Sequence, residues 1–397
     1  MSELEKIALE QNYRVLYGKT FTALLKQFGP QFTSDIEDAV QNAFVRLMKS
    51  WGSSKPPEKL DAWLFITAKN DLLNQLKRTT NKEDLASLDS KSASAQDPQD
   101  LRLASLLYIA DLAQISEQAK SLFFLKNIFG LGVHEISQAL LIGQEAIYKS
   151  SKRAATAIAQ SSHSLEHHQA SEQAIALVET ILLAVFNMGF DSFDPKKESL
   201  VDEDLCLEAM ALTQQLLQIN PQPSTHHLLS LMCFHLARLE ARLTDQRLVA
   251  FFDQDRSKWN KELIQLGFHH LKKPDKLNRY YLEALIISKY MGTKSYDAAF
   301  WHELIELYEL LYQQQPSPIV QLNLCYALFM AKRVEEALVN LQSLENILPK
   351  DHTYLKLVKA EILSKQNKEA SNSLIDELAE SLSQEVRRDF LKNKLKG

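Results

Sequence analysis

Apolar residues recur every three to four positions along most of this chain, the period of amphipathic helices, and alternating runs that would mark strands are scarce. Ile36, Val40, Phe44, Leu47 and Met48 fall on one such stripe. Ser34 is its expected N-cap, with Asp35, Glu37 and Asp38 in the first turns, where acids suit the positive end of the helix dipole. Gly52 and Pro56-Pro57 end that helix. A second begins near Leu60 and carries Trp63, Leu64, Ile66, Leu72, Leu73 and Leu76 on its apolar side, with Lys69, Lys77 and Arg78 on or near the other. Further on, Leu103, Leu106, Leu107, Ile109 and Ala110 predict another helix. Ser116 caps the next, whose core is Leu122, Phe123, Phe124 and Leu125. Glu135-Ile136 and Ala139-Leu140 mark a helix, Ile142-Gly143 a short turn, and Gln144 opens a second helix, the outline of a helix-turn-helix.

The expected fold class is therefore all-α. The expected divisions are a first helical unit at 1–78, a polar linker at 79–100, a second unit at 101–160 and a helical half at 172–397. The linker is small, polar and Pro-containing, with little to bury. The helical half holds a weak repeat. Ala337 and Ala209 are each followed twelve residues later by a proline (Pro349, Pro221), and Ala370 lies thirty-three after Ala337. A small residue where two helices cross, then a proline ending the second, is how tetratricopeptide units are built. Leu324, Leu328, Leu341 and Leu344 fill the apolar places.

Composition sharpens this picture. With 397 residues, 45% hydrophobic and 24% charged, the chain has material for two or three cores, and only 10 Gly and 11 Pro argue for long helices. The first ten residues are polar and acidic, unlike a secretory leader, and no run of eighteen apolar residues predicts a membrane span. Cys206, Cys233 and Cys325 are far apart in apolar helical patterns, so they are expected to be buried and the protein cytoplasmic. Net charge is −5, yet residues 1–160 hold 19 Lys/Arg against 18 Asp/Glu, so the acidity lies in the remainder. A neutral N-terminal part implies weak binding of the free protein to DNA.

Candidate chemistry is sparse. No nucleophile–base pair, phosphate-cradling glycine loop or metal-ligand spacing is evident, so neither an enzyme nor a cofactor is expected. His163, His167 and His168 lack an acidic or Cys partner in a fitting pattern and read as solvated, as do His226-His227 and His269-His270. Asp253-Gln254-Asp255-Arg256-Ser257-Lys258-Trp259 mimics a carboxylate pair. It is better explained as a structural or interdomain cluster in which Arg256 pairs with a carboxylate and Trp259 anchors the next helix.

The segment from Asp35 to Arg78, with Asp-Ala-Val-Gln-x-Ala-Phe, a closing Trp51, then Ala-Trp-Leu and a late Lys-Arg, resembles region two of the extracytoplasmic-function (ECF) sigma factors. These are promoter-recognition subunits of bacterial RNA polymerase. Residues 131–153 resemble region four of the same family, and some members carry a long tetratricopeptide-like C-terminal domain. Leu183–Phe190, Asp204–Ala209, Asp253–Trp259 and Pro316–Asn323 look like theirs, in the same order. The resemblance implies an alternative sigma factor whose partners are the polymerase core and promoter DNA. Asp38, Gln41 and Phe44 would serve polymerase binding, with Asn42 in place of a more usual Glu. Trp63, Lys69, Lys77 and Arg78 would lie toward the melted promoter, and Tyr148, Lys149, Lys152 and Arg153 toward the upstream element. Ala154, Ala155 and Ala157 stand where the family has arginines. The C-terminal half would offer a surface for a protein partner. The alternative is a helical interaction protein with a degenerate sigma-like fold and weak or no DNA binding.

Overall fold

The computed structural model describes residues 3–51, 57, 59–77, 100–140, 142–161, 168–192, 200–244, 247–293, 295–349, 352–382 and 384–395, excepting the side chains of 3–12, 50–51 and 393–395. The fold is all-α, and the sheet content of the described residues is one two-stranded ribbon. Two compact units are present: residues 1–194 with 200–216, and 217–397 with 195–199. The expected start of the C-terminal half at Glu172 thus falls inside the first unit.

The first unit opens with α1 (Glu3–Phe28), α2 (Thr33–Trp51) and α3 (Leu60–Leu76), which pack on one another. Helix α2 starts one residue before the expected cap, because the 3-10 turn Pro30–Phe32 runs directly into it and the Thr33 hydroxyl donates to the Pro30 carbonyl. Ile36, Ala39, Val40, Ala43, Phe44 and Leu47 are its buried stripe. Met48 and Ile66, expected in the core, are about half exposed. Each sits just past the edge of its stripe, where the 3.6-residue period carries it out of the seam. The linker at 79–100 lies almost wholly outside the described residues, as does Arg78.

Helices α4 (Arg102–Ala110), α5 (Glu117–Phe123), α6 (Val133–Leu140) and α7 (Gln144–Ala159) follow. Ser116 caps α5 as expected, accepting from the Ala119 amide at 3.3 Å. Helix α5 runs into a π turn at Phe124–Ile128 that the apolar pattern does not reveal. Two glycines let α1 lie close to this region. A side chain at Gly18 would collide with the Ile128 carbonyl, and Gly130 has φ +61° with Arg14 directly beneath it.

Helix α8 (Glu172–Phe190) and α9 (Glu203–Ile219) complete the unit, whose boundary falls within α9 after Leu216. Among the described residues, α8 is the one helix long and apolar enough to cross a membrane by length and composition. Here it is a core helix: Val178, Leu182, Val185 and Phe186 are fully buried. Arg102 pairs with Glu208 in the interior and Arg14 with Asp202 at 2.6 Å, so residues from both ends of the unit meet.

The second unit contains α10 (Pro223–Leu236), the short α11 (Leu239–Arg242) and the ribbon β1 (Leu243–Thr244) with β2 (Arg247–Leu248), paired antiparallel. Then come α12 (Lys261–His270), α13 (Arg279–Gly292), α14 (Ala298–Gln314), α15 (Pro318–Met330), α16 (Val334–Glu345), α17 (Thr353–Leu363), α18 (Lys368–Ser381) and α19 (Glu385–Leu395). Successive helices pack against each other from α13 to α19, and α19 returns to touch β2. Leu324, Leu328, Ala337, Leu341 and Leu344 are buried in one core with Trp301 and Leu304, as their spacing predicts. Cys206, Cys233 and Cys325 are all buried free thiols, and burial pushes Cys233 and Cys325 up to about 12.

Candidate functional site

The outer face of α2 carries Asp38 and Gln41, both exposed, with Val45 and Met48 further along the same stripe. Phe44 is 3% exposed and packs edge-on against Tyr13, with ring centroids 4.5 Å apart. It holds the helix in place from below and is not presented on the face, because its position lies on the apolar stripe. Helix α2 is fixed to α3 through Asp71, a carboxylate only 7% exposed. Asn42 and Gln75 each donate to it at 2.9 Å, and Arg46 pairs with its other oxygen. Asn42 is therefore a donor to a buried carboxylate, a task that a glutamate there would fail by charge repulsion. The available signal for Asp71 was an acid inside the apolar stripe of α3. On α3, Trp63 and Lys69 are half-buried and Lys77 is exposed.

Helix α7 has two clean faces. Ile147, Ser151, Ala154, Ala155 and Ile158 are buried. Tyr148, Lys149, Lys152 and Arg153 are all exposed on the opposite side, one turn apart. Lys149 is paired with Glu145 at 2.6 Å on the surface. Ala154 and Ala155 are packed inward against the bundle, so their small size serves close helix approach and not the exposed face.

Residues 15–82 match sigma-70 region 2. Residues 174–274 match a family of unknown function (DUF6596). The chain is 27% identical over 326 residues to an uncharacterized protein of Rhizobium meliloti (strain 1021), covering 78% of this chain and 77% of that one. No solved structure matches it. The region-two match spans most of α1 and all of α2 and α3, the helices that carry Asp38 and Gln41. It supports a sigma-factor-like role in transcription that involves the polymerase core and promoter DNA.

The 253–259 cluster, inside the DUF6596 match, is assembled within the second unit. Asp255 caps a 3-10 turn by accepting from the Ser257 amide at 2.9 Å and hydroxyl at 2.7 Å. Those bonds hold its carboxyl below the usual range. Arg256 does not pair with a carboxylate. It donates to the Thr293 carbonyl (2.5 Å), the Met291 carbonyl (3.3 Å) and the Tyr296 hydroxyl (2.7 Å), capping the C-terminal end of α13. Four orphan carbonyls at a helix end attract a fork of donors, and the dipole there favours a cation. Arg256 also lies over Trp259, 5.1 Å from its ring centre; Trp259 is buried and Asp253 exposed.

Of the two histidine pairs His269 is exposed, as expected, whereas His227 and His270 are buried and His226 is half-buried. His226 and His270 share a 2.8 Å hydrogen bond through their Nδ1 atoms, and His227 is held by the Lys272 carbonyl and Asn278. Two elements far apart in sequence, α10 and α12, create this cluster, so neither pair alone could reveal it. Burial, with Lys272, His226 and His269 nearby, lowers His270 to about 4. His163 and His167 lie outside the described residues. His168 pairs with Asp111 at 2.6 Å. Burial acts to raise the Asp111 pKa, but Ser171 and His168 outweigh it and hold it low. Among the described residues, no group of three or more His, Cys, Asp or Glu could hold a metal ion.

Proposed function

We propose that this chain is an alternative, ECF-type sigma factor that directs the polymerase core to specific promoters. The observation that carries the reading is the region-two match at residues 15–82, on whose second helix Asp38 and Gln41 stand exposed. In this reading residues 1–78 are region two and bind the core through Asp38 and Gln41, with Phe44 supporting the helix from beneath. Trp63, Lys69, Lys77 and Arg78 meet the melted strand, where an aromatic beside basic groups suits unstacked bases and phosphates. Residues 101–160 act as region four after the 79–100 linker, and Tyr148, Lys149, Lys152 and Arg153 on α7 reach DNA. The protein works in the cytoplasm and catalyses no reaction of its own. Residues 172–397 are a tetratricopeptide-like half that regulates or stabilises the factor and offers a surface to a protein partner.

Run-off transcription with purified core and promoter DNA tests this. The full chain is expected to give a promoter-dependent transcript, and Asp38→Lys with Gln41→Ala to lower core affinity while the helices stay folded. A core that initiates equally well without the chain sinks the reading. Replacing Lys149, Lys152 and Arg153 by Ala is expected to flatten the salt dependence of DNA binding by roughly one log–log unit per lost phosphate contact.

One observation favours a second reading, a helical regulatory protein with weak or no DNA binding. Of the exposed cations on α7, Lys149 is already paired with Glu145. An unchanged salt slope in the triple variant, with core binding retained, selects it.

A further inference from the structure

Helices α10 and α12 are locked together one turn away from two facing histidines. The Ser230 hydroxyl donates to the Gly267 carbonyl at 2.8 Å, and a side chain at Gly267 would collide with the Phe234 ring, so the helices approach closely there. His226 lies four residues before Ser230 on α10, and His270 three after Gly267 on α12, so both fall on the facing sides. Their Nδ1 atoms stand 2.8 Å apart and their ring centres 5.1 Å. Asn278 and the Lys272 carbonyl hold His227 alongside, which fixes the chain that follows His270. Two imidazole nitrogens facing each other in this way share a single proton, so one lone pair already points into the gap between the rings. Burial is the main cause that holds both rings below the ordinary histidine pKa, and both are neutral at neutral pH. His226 is half-buried, so the gap lies near solvent. A metal ion held tetrahedrally by two imidazoles at about 2.0–2.1 Å needs their nitrogens about 3.3 Å apart. The observed 2.8 Å is short of that by about 0.5 Å, which a small rotation of the His226 side chain supplies.

We propose that His226 and His270 together bind a divalent transition-metal ion of the copper and zinc class, which pins the start of α10 to the end of α12. Imidazole nitrogen suits borderline metals such as Cu2+, Ni2+ and Zn2+, whereas Mg2+ and Ca2+ prefer oxygen. The protein supplies two ligands and water the rest, since among the described residues no third donor joins the pair. The ion takes the place of the shared proton. The ring that carried it on Nδ1 becomes the Nε2–H tautomer, so both lone pairs face the metal and no net proton is released. The two helix ends offset one another, because a cation gains at the C-terminal end of α12 about what it loses at the N-terminal end of α10. Lys272 is exposed, so solvent screens its repulsion of the ion. The site lies wholly within residues 217–397 and does not depend on the sigma-factor reading.

The experiment adds Cu2+ and Zn2+ separately to the full chain after dialysis against a chelator. Cu2+ below one equivalent is expected to show the electron spin echo modulation of two bound imidazoles. His226→Gln and His270→Asn are each expected to reduce this to one imidazole or none, and to weaken binding by about tenfold or more. His163→Ala with His167→Ala removes a rival pair at His-x-x-x-His spacing, and His302→Ala removes an exposed histidine on α14; neither change is expected to alter the signal. Saturating Zn2+ is expected to raise the melting temperature of the full chain by about 5 °C or more, and that of the His226 and His270 variants far less. Mg2+ is expected to leave it unchanged. A chain with no two-imidazole signal has no such site, and the proposal is then wrong. A signal that survives both His226→Gln and His270→Asn, or that vanishes with His163 and His167, overturns the assignment to α10 and α12. Zn2+ that binds without raising the melting temperature overturns the pinning of the two helices. The signal of the unaltered chain needs no variant, and His226→Gln changes only a half-buried side chain, so a poorly folded His270→Asn leaves the test intact.

Discussion

Arg14 reaches 121 residues along the chain to Glu135 and 188 to Asp202, and Arg102 reaches 106 to Glu208. In residues 217–397 the core around Trp301 and Leu304 is built instead from helices that follow one another, α13 to α17, through aromatic and aliphatic contacts. The first unit adds buried ion pairs between distant segments to its apolar core, whereas the Trp301 core of the second is built from apolar contacts between neighbouring helices. Ion pairs are directional and can be exchanged for pairs with a partner. Stacked apolar faces are cooperative with their neighbours and gain little by opening. Breaking a pair in the first unit strands a buried charge, whereas breaking a contact in the second leaves a cavity.

The sharpest way to break this comparison is to cut the chain. A protein ending at Ser171 loses α8, whose Val178, Leu182 and Phe186 are fully buried, together with Asp202 and Glu208. It is expected to lose cooperative unfolding by circular dichroism. A protein ending after α9 retains those contacts and is expected to keep a cooperative transition. Equal melting of the two would place the boundary at 172 after all.

Next in size is Trp301→Ala in the second unit. Trp301 is 2% exposed, its Nε1 donates to the Tyr296 carbonyl at 3.1 Å, and Phe252, Tyr290 and Phe300 surround it. A loss of roughly 3–5 kcal/mol is expected in denaturant titration. Hydrogen exchange should show the damage fading with distance along the helix series. Uniform loss across α13 to α19 would mean that the unit does not behave as a nearest-neighbour stack.

Arg102→Ala is expected to cost about 3 kcal/mol, because Glu208 is left charged and buried without its partner. Replacing both, Arg102→Met with Glu208→Leu, should recover most of that stability in the same titration, since desolvating the pair offsets much of its attraction. A double variant as unstable as the single one would show that the pair contributes more than its own burial costs.

The smallest effect concerns pH in the second unit. His270 has a folded pKa of about 4, below the ordinary value near 6.5, with burial the main cause and His226, His269 and Lys272 adding like charge. Protons therefore bind the unfolded chain first. The contribution of His270 is complete above pH 6.5 and is lost as pH falls from 6.5 toward 4. After allowance for solvent screening this amounts to roughly 1 kcal/mol. His270→Asn should flatten that part of the stability–pH curve.

Helix class, the amphipathic stripe of α2, the apolar core of α5, the start of α7 at Gln144, the Ser116 cap and the buried cysteines were legible in the sequence, because each depends on residues within a few turns of one another. The exposed Asp38 and Gln41 followed from the same periodicity. Met48 and Ile66 did not, because a stripe's edge is decided by which neighbour covers it. Arg256 was expected to find a carboxylate and instead caps α13, since the carbonyls of a helix end carry no mark in the side-chain code. Asp71, the His226–His270 contact and the Arg14 pairs were likewise decided only by tertiary structure. Each joins groups brought together by the packing of separate helices, and a charged residue's sequence neighbours do not say which distant charge will share its low-dielectric pocket.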